Sequence, residues 1–105
     1  MKMKPDTERR INCVIPLILK NPSKAIKDYP TDPEVIRYHV WNLVFVSAYF
    51  INMFSDMPEE EHRTIFIKGY QSIRTNHKIY LNQQAFNEVY SIAKAEAINF
   101  KLPQE

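Results

Sequence analysis

Apolar residues recur along this chain with the spacing of α-helices. Between residues 11 and 18 they follow the helical period, and Asp6 or Thr7 is expected to cap the helix that carries them. Pro16 falls inside this helix. Because proline lacks a backbone donor and its ring clashes with the preceding turn, we expect a kink or a restart there.

The clearest helix start lies at Asp32, where Pro33 suits the first helical position and Glu34 suits the positive end of the helix dipole. A short helical segment is expected before it, over residues 23–29. The residues that follow Pro33 contain no Gly or Pro for a long stretch, and an unbroken strand of that length would far exceed the usual roughly five or six residues. We therefore predict a helix over residues 33–54 that is apolar on every side.

Two amphipathic helices are predicted in the second half of the chain. Pro58, followed by three glutamates, marks a helix start, and residues 75–77 are expected to end that helix. Its apolar face combines Phe66, Tyr70, Ile73 and His77. Asn82 is the expected cap of the last helix. That helix carries the most regular apolar stripe of the chain, formed by Phe86, Val89, Tyr90, Ala93, Ala97 and Phe100.

The composition fits this helical pattern and narrows the class of protein. The chain has 105 residues, enough for one domain with its own core. A single Gly argues against the many tight turns of an all-β fold and excludes a glycine-rich phosphate loop. We therefore predict an all-α, single-domain bundle of four to five helices around a central hydrophobic helix, residues 33–54. Residues 1–5 and 101–105 are predicted to be flexible.

The cellular compartment is predicted from the cysteine content and from the most apolar stretch. Cys13 has no partner within the chain, which fits a reducing, cytoplasmic compartment. Residues 40–54, as a helix, would extend about 22 Å and would not cross the roughly 30 Å hydrocarbon layer of a membrane. We therefore expect a buried helix and no membrane span.

Side chains capable of catalysis or metal binding are present, but they form no complete pattern. Glu59 and His62 have the i, i+3 spacing of a di-iron bundle, but such a site needs a second pair and further glutamates. His39 and His77 add no metal-ligand spacing, and Ser47 has no neighbouring base in the sequence. We therefore predict no catalytic residue, no cofactor and no metal site.

Protein binding is the function that the sequence favours. The chain contains thirteen aromatic residues, and aromatic residues and arginine contribute much of the energy of protein interfaces. A helix that is apolar on all sides is also hard to cover in a domain of this size. The residues predicted to bind the partner are Tyr38, Trp41, Glu59, Glu60, Arg63 and Arg74. We predict a non-enzymatic module, such as an inhibitor, immunity-type or accessory protein of a bacterium or phage, whose partner is another protein or a second copy of the chain.

Nucleic-acid binding stays open as an alternative. The net charge is +5 over residues 1–27, −6 over residues 28–61 and +3 over residues 62–105, and such segments suit a protein with complementary patches. A small nucleic-acid-associated regulator would instead use a basic N-terminal arm, formed by Lys2, Lys4, Arg9 and Arg10, to follow phosphates. It would also use one basic helix side, formed by Arg63, Arg74 and Lys78. Against this alternative, no helix-turn-helix spacing with a turn glycine occurs.

Overall fold

Four helices account for the regular structure of the described part of the chain. The computed structural model describes residues 5–20 and 32–99. Within these residues the structure contains no strand, and its helices are α1 (Pro5–Leu19), α2 (Pro33–Met53), α3 (Glu59–His77) and α4 (Gln83–Asn99). The predicted all-α single-domain bundle is confirmed, with four helices. The short helix predicted over residues 23–29 lies outside the described residues, as do residues 1–4 and 101–105.

The start of α1 differs from the prediction. The helix begins at Pro5, which suits a first helical position because the N–H group that proline lacks would have no helical partner there. Pro5 is therefore the first residue of the helix, and neither Asp6 nor Thr7 caps it. Thr7 is buried, and its hydroxyl donates to Glu96 Oε1 of α4 at 2.7 Å. Local capping rules could not reveal this contact, because its partner lies 89 positions away in the sequence.

Pro16 does not divide α1. The helix continues without a break to Leu19, and the N–H group of Lys20 donates to the Pro16 carbonyl at 3.1 Å. Pro16 lies on the exposed side of the helix, where water can bind the carbonyl group that loses its donor. The buried side is apolar and is formed by Ile11, Val14, Ile15 and Ile18. The predicted restart is therefore wrong, because packing on this side stabilises the helix across the proline.

The start of α2 agrees with the prediction. Asp32 Oδ1 accepts a hydrogen bond from the N–H group of Glu34 at 2.9 Å, with Pro33 at the start of the helix. The helix ends at Met53, and Phe54 forms its C-cap. It packs against α1, α3 and α4, and it buries Ile36, Val40, Leu43, Val44, Ser47, Ala48 and Ile51. Of the helices described, none is both long enough and apolar enough to span a lipid bilayer.

The ends of α3 and the start of α4 also agree with the prediction. α3 follows Pro58 and ends at His77, after which Lys78 takes the left-handed conformation (φ 62°) that often closes a helix. Asn82 caps α4, since its Oδ1 accepts a hydrogen bond from the N–H group of Ala85 at 2.8 Å. Three residues of the predicted apolar face of α3 are buried, namely Phe66, Tyr70 and Ile73. The fourth, His77, is exposed.

The main core joins side chains from all four helices with the link between α3 and α4. Its fully buried members include Ile11, Ile18, Val40, Val44, Phe66, Val89 and Ile92. The link contributes Ile79 and Leu81, and the N–H group of Leu81 donates to the Tyr70 hydroxyl at 2.8 Å. The link is thereby fixed to the C-terminal half of α3.

Candidate interaction surfaces

The structure separates the six residues predicted to bind a partner. Tyr38 and Trp41 lie on α2, and the other four lie on α3. Tyr38 is 62% exposed, and Glu60 is also exposed. Trp41 is half-buried, because its ring stacks on that of Phe45 with centroids 5.2 Å apart and packs against the main core. Trp41 therefore stabilises the bundle, whereas most of the Tyr38 side chain is exposed to solvent.

Glu59 belongs to a polar cluster that joins α3 to α4. Its two carboxylate oxygens accept hydrogen bonds from the Tyr90 hydroxyl and from Lys94 Nζ. The hydrogen bond from Lys94, followed by that from Tyr90, lowers the pKa of Glu59. Burial, followed by the hydrogen bond to Glu59, raises the pKa of Tyr90. The carboxylate is thus engaged within the chain, although most of the Glu59 side chain is exposed.

His62 extends this polar cluster (Glu59, His62, Tyr90 and Lys94) to the end of α2. It is 8% exposed; its Nε2 lies 2.8 Å from the Phe54 carbonyl oxygen, and its Nδ1 lies 3.3 Å from Lys94 Nζ. Because a carbonyl only accepts and an ammonium only donates, these contacts fit the neutral tautomer with its proton on Nε2. Glu59 and His62, the pair with di-iron spacing, therefore connect α3 to α4 and to the end of α2. No three His, Cys, Asp or Glu side chains converge as a metal site within residues 5–20 and 32–99.

Arg63 and Arg74 lie over aromatic rings on the outer side of α3. The Arg63 guanidinium carbon is 5.5 Å from the ring centroid of Phe86 and 5.7 Å from that of Tyr90. The corresponding distance from Arg74 to Tyr80 is 5.2 Å. At these distances a guanidinium is attracted to the face of the ring. A hollow of about 360 Å³ is lined by both arginines, and we refer to the arginines, these rings and the hollow as the arginine face.

An apolar groove that the sequence pattern did not reveal runs between α2 and α3. Its volume is about 470 Å³, and its apolar lining residues are Leu43, Val46, Phe50, Ile65 and Ile73. Gly69 also lines it, and a Cβ atom at that position would lie only 2.8 Å from Leu43 Cδ1. The missing side chain of Gly69 therefore lets the two helices approach each other closely.

The groove continues into exposed apolar side chains. Val46 is 50% exposed and Phe50 is 40% exposed. The end of α2 and the loop after it add Met53, Phe54 and Met57, which are exposed as well. We refer to the groove and these residues as the apolar surface. The sequence indicated the apolar surface only through the apolar residues on every side of the helix predicted over residues 33–54. It could not indicate which side of α2 stays exposed, because that depends on where the other helices pack.

Two histidines connect α2 and α3 at the end of the α2–α3 interface that lies away from His62 and Phe54. The rings of His39 and His77 stack with centroids 3.8 Å apart and an interplanar angle of 22°. Partial burial, followed by the proximity of His77, lowers the pKa of His39. His39 lies in the first half of α2 and His77 ends α3, whereas His62 near the start of α3 contacts Phe54 at the end of α2. The two helices are therefore antiparallel.

The apolar surface and the arginine face lie on different sides of α3. Arg63 precedes Gly69 by six residues and Arg74 follows it by five. These spacings place the arginines about 120° and 140° around the helix from the groove. No protein-family model, curated protein or solved structure matches this chain.

Proposed function

We propose that this protein is a non-enzymatic module that binds another protein through its apolar surface. In this proposal the hydrophobic helix predicted over residues 33–54 is the centre of the bundle, and its uncovered side is the contact. The observation that carries the proposal is that Val46 and Phe50 both line the groove and remain exposed. Contiguous exposed apolar patches mark sites of association in proteins.

The dimensions of the groove favour a helix of the partner as its occupant. The α2 wall extends from Asn42 to Phe50, which corresponds to about 12 Å of helix. Over this length a partner helix presents roughly three anchors, at i, i+3 or i+4, and i+7. The small residues Ser47, Gly69 and Ser72 along the groove leave room for such anchors. Flexible methionine side chains beyond the groove suit a contact whose shape must adapt.

The rim of the groove indicates which charge the partner helix should carry. Lys68 lines the groove and is exposed on α3. A helix with an acidic residue beside its apolar stripe would place that carboxylate near Lys68. None of the six residues first predicted to bind lines the groove; Tyr38, exposed on α2, stays a predicted contact outside the apolar surface.

The biological role stays a proposal of the same kind. Inhibitors, immunity-type proteins and accessory proteins of bacteria or phages act by binding another protein, and the proposed contact suits this class. The cytoplasmic location remains a prediction from the single cysteine. Cys13 is an exposed thiol on α1.

Charge-introducing variants on the apolar surface test the proposal. Val46→Glu and Phe50→Glu replace exposed side chains, so both variants should keep the helical far-UV circular dichroism of the wild type. Ile98→Glu is a matched control, because Ile98 is 79% exposed on α4 and does not line the groove. Immobilised wild type and Ile98→Glu should retain the same protein from a lysate of the source organism. Each groove variant should lose it, with the affinity for the purified protein reduced at least about tenfold.

Two further measurements decide the outcome. Methyl NMR spectra of the wild type should show shifts at Val46 and Ile65 when the purified partner is added. Equal retention of the partner by Phe50→Glu would contradict the proposal. Light scattering that shows a wild-type dimer and a Phe50→Glu monomer would assign the apolar surface to a second copy of the chain instead.

A further inference from the structure

The arginines of this chain differ in how their charges are neutralised. Three of the five form ion pairs within the chain, namely Arg9 with Asp6, Arg10 with Glu88 and Arg37 with Glu34. Arg63 and Arg74 form neither an ion pair nor a hydrogen bond with any described residue, and both are exposed. The arginine face therefore presents two guanidinium groups whose N–H donors are not engaged by the described residues.

Aromatic rings hold these two guanidinium groups in place. Arg63 lies over Phe86 and Tyr90, and Arg74 lies over Tyr80. A guanidinium held over a ring keeps its N–H groups directed outward in its own plane, where they match the oxygens of a phosphate. Because the rings restrict the side chains before any ligand arrives, binding loses less conformational entropy.

The hollow of the arginine face supplies groups that a nucleobase can use. Besides the arginines it is lined by aromatic residues, apolar residues and the amide side chains of Gln71, Asn82 and Gln83. Asn82 Oδ1 caps α4 and Gln83 Nε2 donates to Asn87, so these two side chains offer a base their other amide atom. No Asp or Glu belongs to the described residues that line it. Bases unstacked from a single strand bind to aromatic rings and guanidinium planes, and amides contact their edges.

The spacing of the arginines fits a short stretch of a single strand. Arg63 and Arg74 are eleven residues apart on α3, which corresponds to about 16 Å. Successive phosphates of one strand lie at least about 3.4 Å apart along its axis, so the two arginines span no more than roughly five nucleotides. Lys78, exposed just after α3, adds a third cation.

We infer that the arginine face binds single-stranded nucleic acid, with phosphates on Arg63 and Arg74 and bases in the hollow between them. This surface is separate from the groove, so the inference does not depend on the proposed function. An acidic peptide would also pair with the arginines, but it has no bases to stack on the rings or to contact the amides of the hollow. These lining groups therefore favour nucleic acid over an acidic peptide.

Fluorescence anisotropy with the full chain tests the inference. The probes are labelled RNA and DNA single strands of about 12 nucleotides, measured at NaCl concentrations from about 20 to 200 mM. We expect binding that weakens with salt, with a log–log slope near −2 for three phosphate contacts. The double variant Arg63→Gln/Arg74→Gln should bind at least about tenfold more weakly, with a slope shallower by about 1.4.

Matched controls separate this site from general electrostatic attraction. Arg37→Gln removes one exposed cation on α2 and should change the affinity by less than about twofold. Phe50→Glu alters the groove and should leave oligonucleotide binding within about threefold of the wild type. Circular dichroism checks that all variants remain folded.

Four outcomes would overturn the inference. The first is no change in anisotropy at about 20 mM NaCl and high protein concentration. The second is a loss of binding in a control variant that is as large as the loss in the double variant. Either control, Arg37→Gln or Phe50→Glu, would suffice. The third is tighter binding of a duplex than of a single strand. The fourth is competition by poly-glutamate that matches competition by unlabelled oligonucleotide, which would assign the arginine face to an acidic protein.

Discussion

The polar cluster and the arginine face share Tyr90 and both contain cationic side chains, but their charges are neutralised differently. In the polar cluster, Glu59 and His62 both contact Lys94, and His62 also contacts the backbone at the end of α2. On the arginine face, Arg63 and Arg74 lie over rings and pair with no carboxylate among the described residues. The first group therefore connects helices, and the second remains open to a ligand.

This difference shows why a list of charged residues is a poor guide to an interface. The sequence places Glu59 beside Glu60 and Arg63 at the start of one helix, and all three were predicted to contact a partner. The structure gives Glu59 partners on α4, because Tyr90 and Lys94 come close to it only after the chain has folded. Whether a charge is engaged within the protein decides whether it can serve an external ligand.

The largest expected effect is the loss of the buried imidazole of the polar cluster. His62→Ala removes the hydrogen bonds that the imidazole forms with the Phe54 carbonyl and with Lys94, and it leaves a cavity where a buried ring was. It should therefore lower the free energy of unfolding by about 2–3 kcal/mol. Urea denaturation followed by circular dichroism measures this change. His77→Ala is the control, because its ring is exposed and only stacks on His39; it should cost about 0.5 kcal/mol. Equal losses in the two variants would contradict a structural role for the polar cluster.

A smaller loss is expected when the ammonium group of the polar cluster is removed. Lys94→Met keeps much of the side-chain length but breaks the contacts with Glu59 and His62. The pair with Glu59 is partly exposed, so the free energy of unfolding should fall by about 1 kcal/mol. Thermal unfolding should show a midpoint lower by about 4–8 °C. Lys68→Met, at an exposed lysine of the same helix pair, should leave the midpoint nearly unchanged.

The stacked histidines predict a pH dependence of stability between neutral and mildly acidic conditions. The pKa of His39 is lowered from its ordinary value of 6.5 in the folded chain, so the folded state favours the neutral ring more than the unfolded chain does. The stabilisation is complete above pH 6.5 and is lost as the pH falls through the lower folded pKa.

Urea titrations from about pH 7.5 to pH 5 measure this effect, because the pKa of Glu59, lowered from 4.5, lies below that range. His39→Gln should remove much of the pH dependence while it leaves the helical content unchanged. A wild type whose stability is constant over this range would contradict the prediction.

The smallest effect on stability is expected on the arginine face. Arg63→Gln/Arg74→Gln removes no ion pair among the described residues, so the free energy of unfolding should change by no more than about 0.5 kcal/mol per residue. The same urea measurement checks this value. A loss as large as that of His62→Ala would show that the two arginines stabilise the bundle, and the contrast with the polar cluster would fail.

Local signals in the sequence were sufficient for most of the helices. Asp32 and Asn82 were identified as caps from their residue types and from the residues that follow, and both accept the expected backbone hydrogen bonds. The restart expected at Pro16 and the cap expected at Asp6 or Thr7 were wrong, because they rested on the same local rules that identified the correct caps. Local rules treat proline as a breaker and threonine as a cap, whereas here core packing spans Pro16 and a distant glutamate binds Thr7.

The candidate surfaces were less accessible to sequence reasoning. Tyr38 and Trp41 were both predicted to contact a partner; Tyr38 is 62% exposed, whereas Trp41 packs against the core. Val46, Phe50 and Gly69 attracted no functional prediction, and together they line the groove. Their neighbours on α2 are equally apolar, so nothing in the sequence distinguishes the covered from the uncovered positions.

The sequence by itself determined where the described helices begin and end to within a few residues, because capping and hydrophobic periodicity act between residues a few positions apart. Only the tertiary structure decided which side of α2 stays uncovered and which charges of α3 find partners. Both depend on contacts between helices, such as those of Glu59 with Lys94 and of Gly69 with Leu43. Such contacts join residues far apart in the chain, and they form only when the whole bundle has packed.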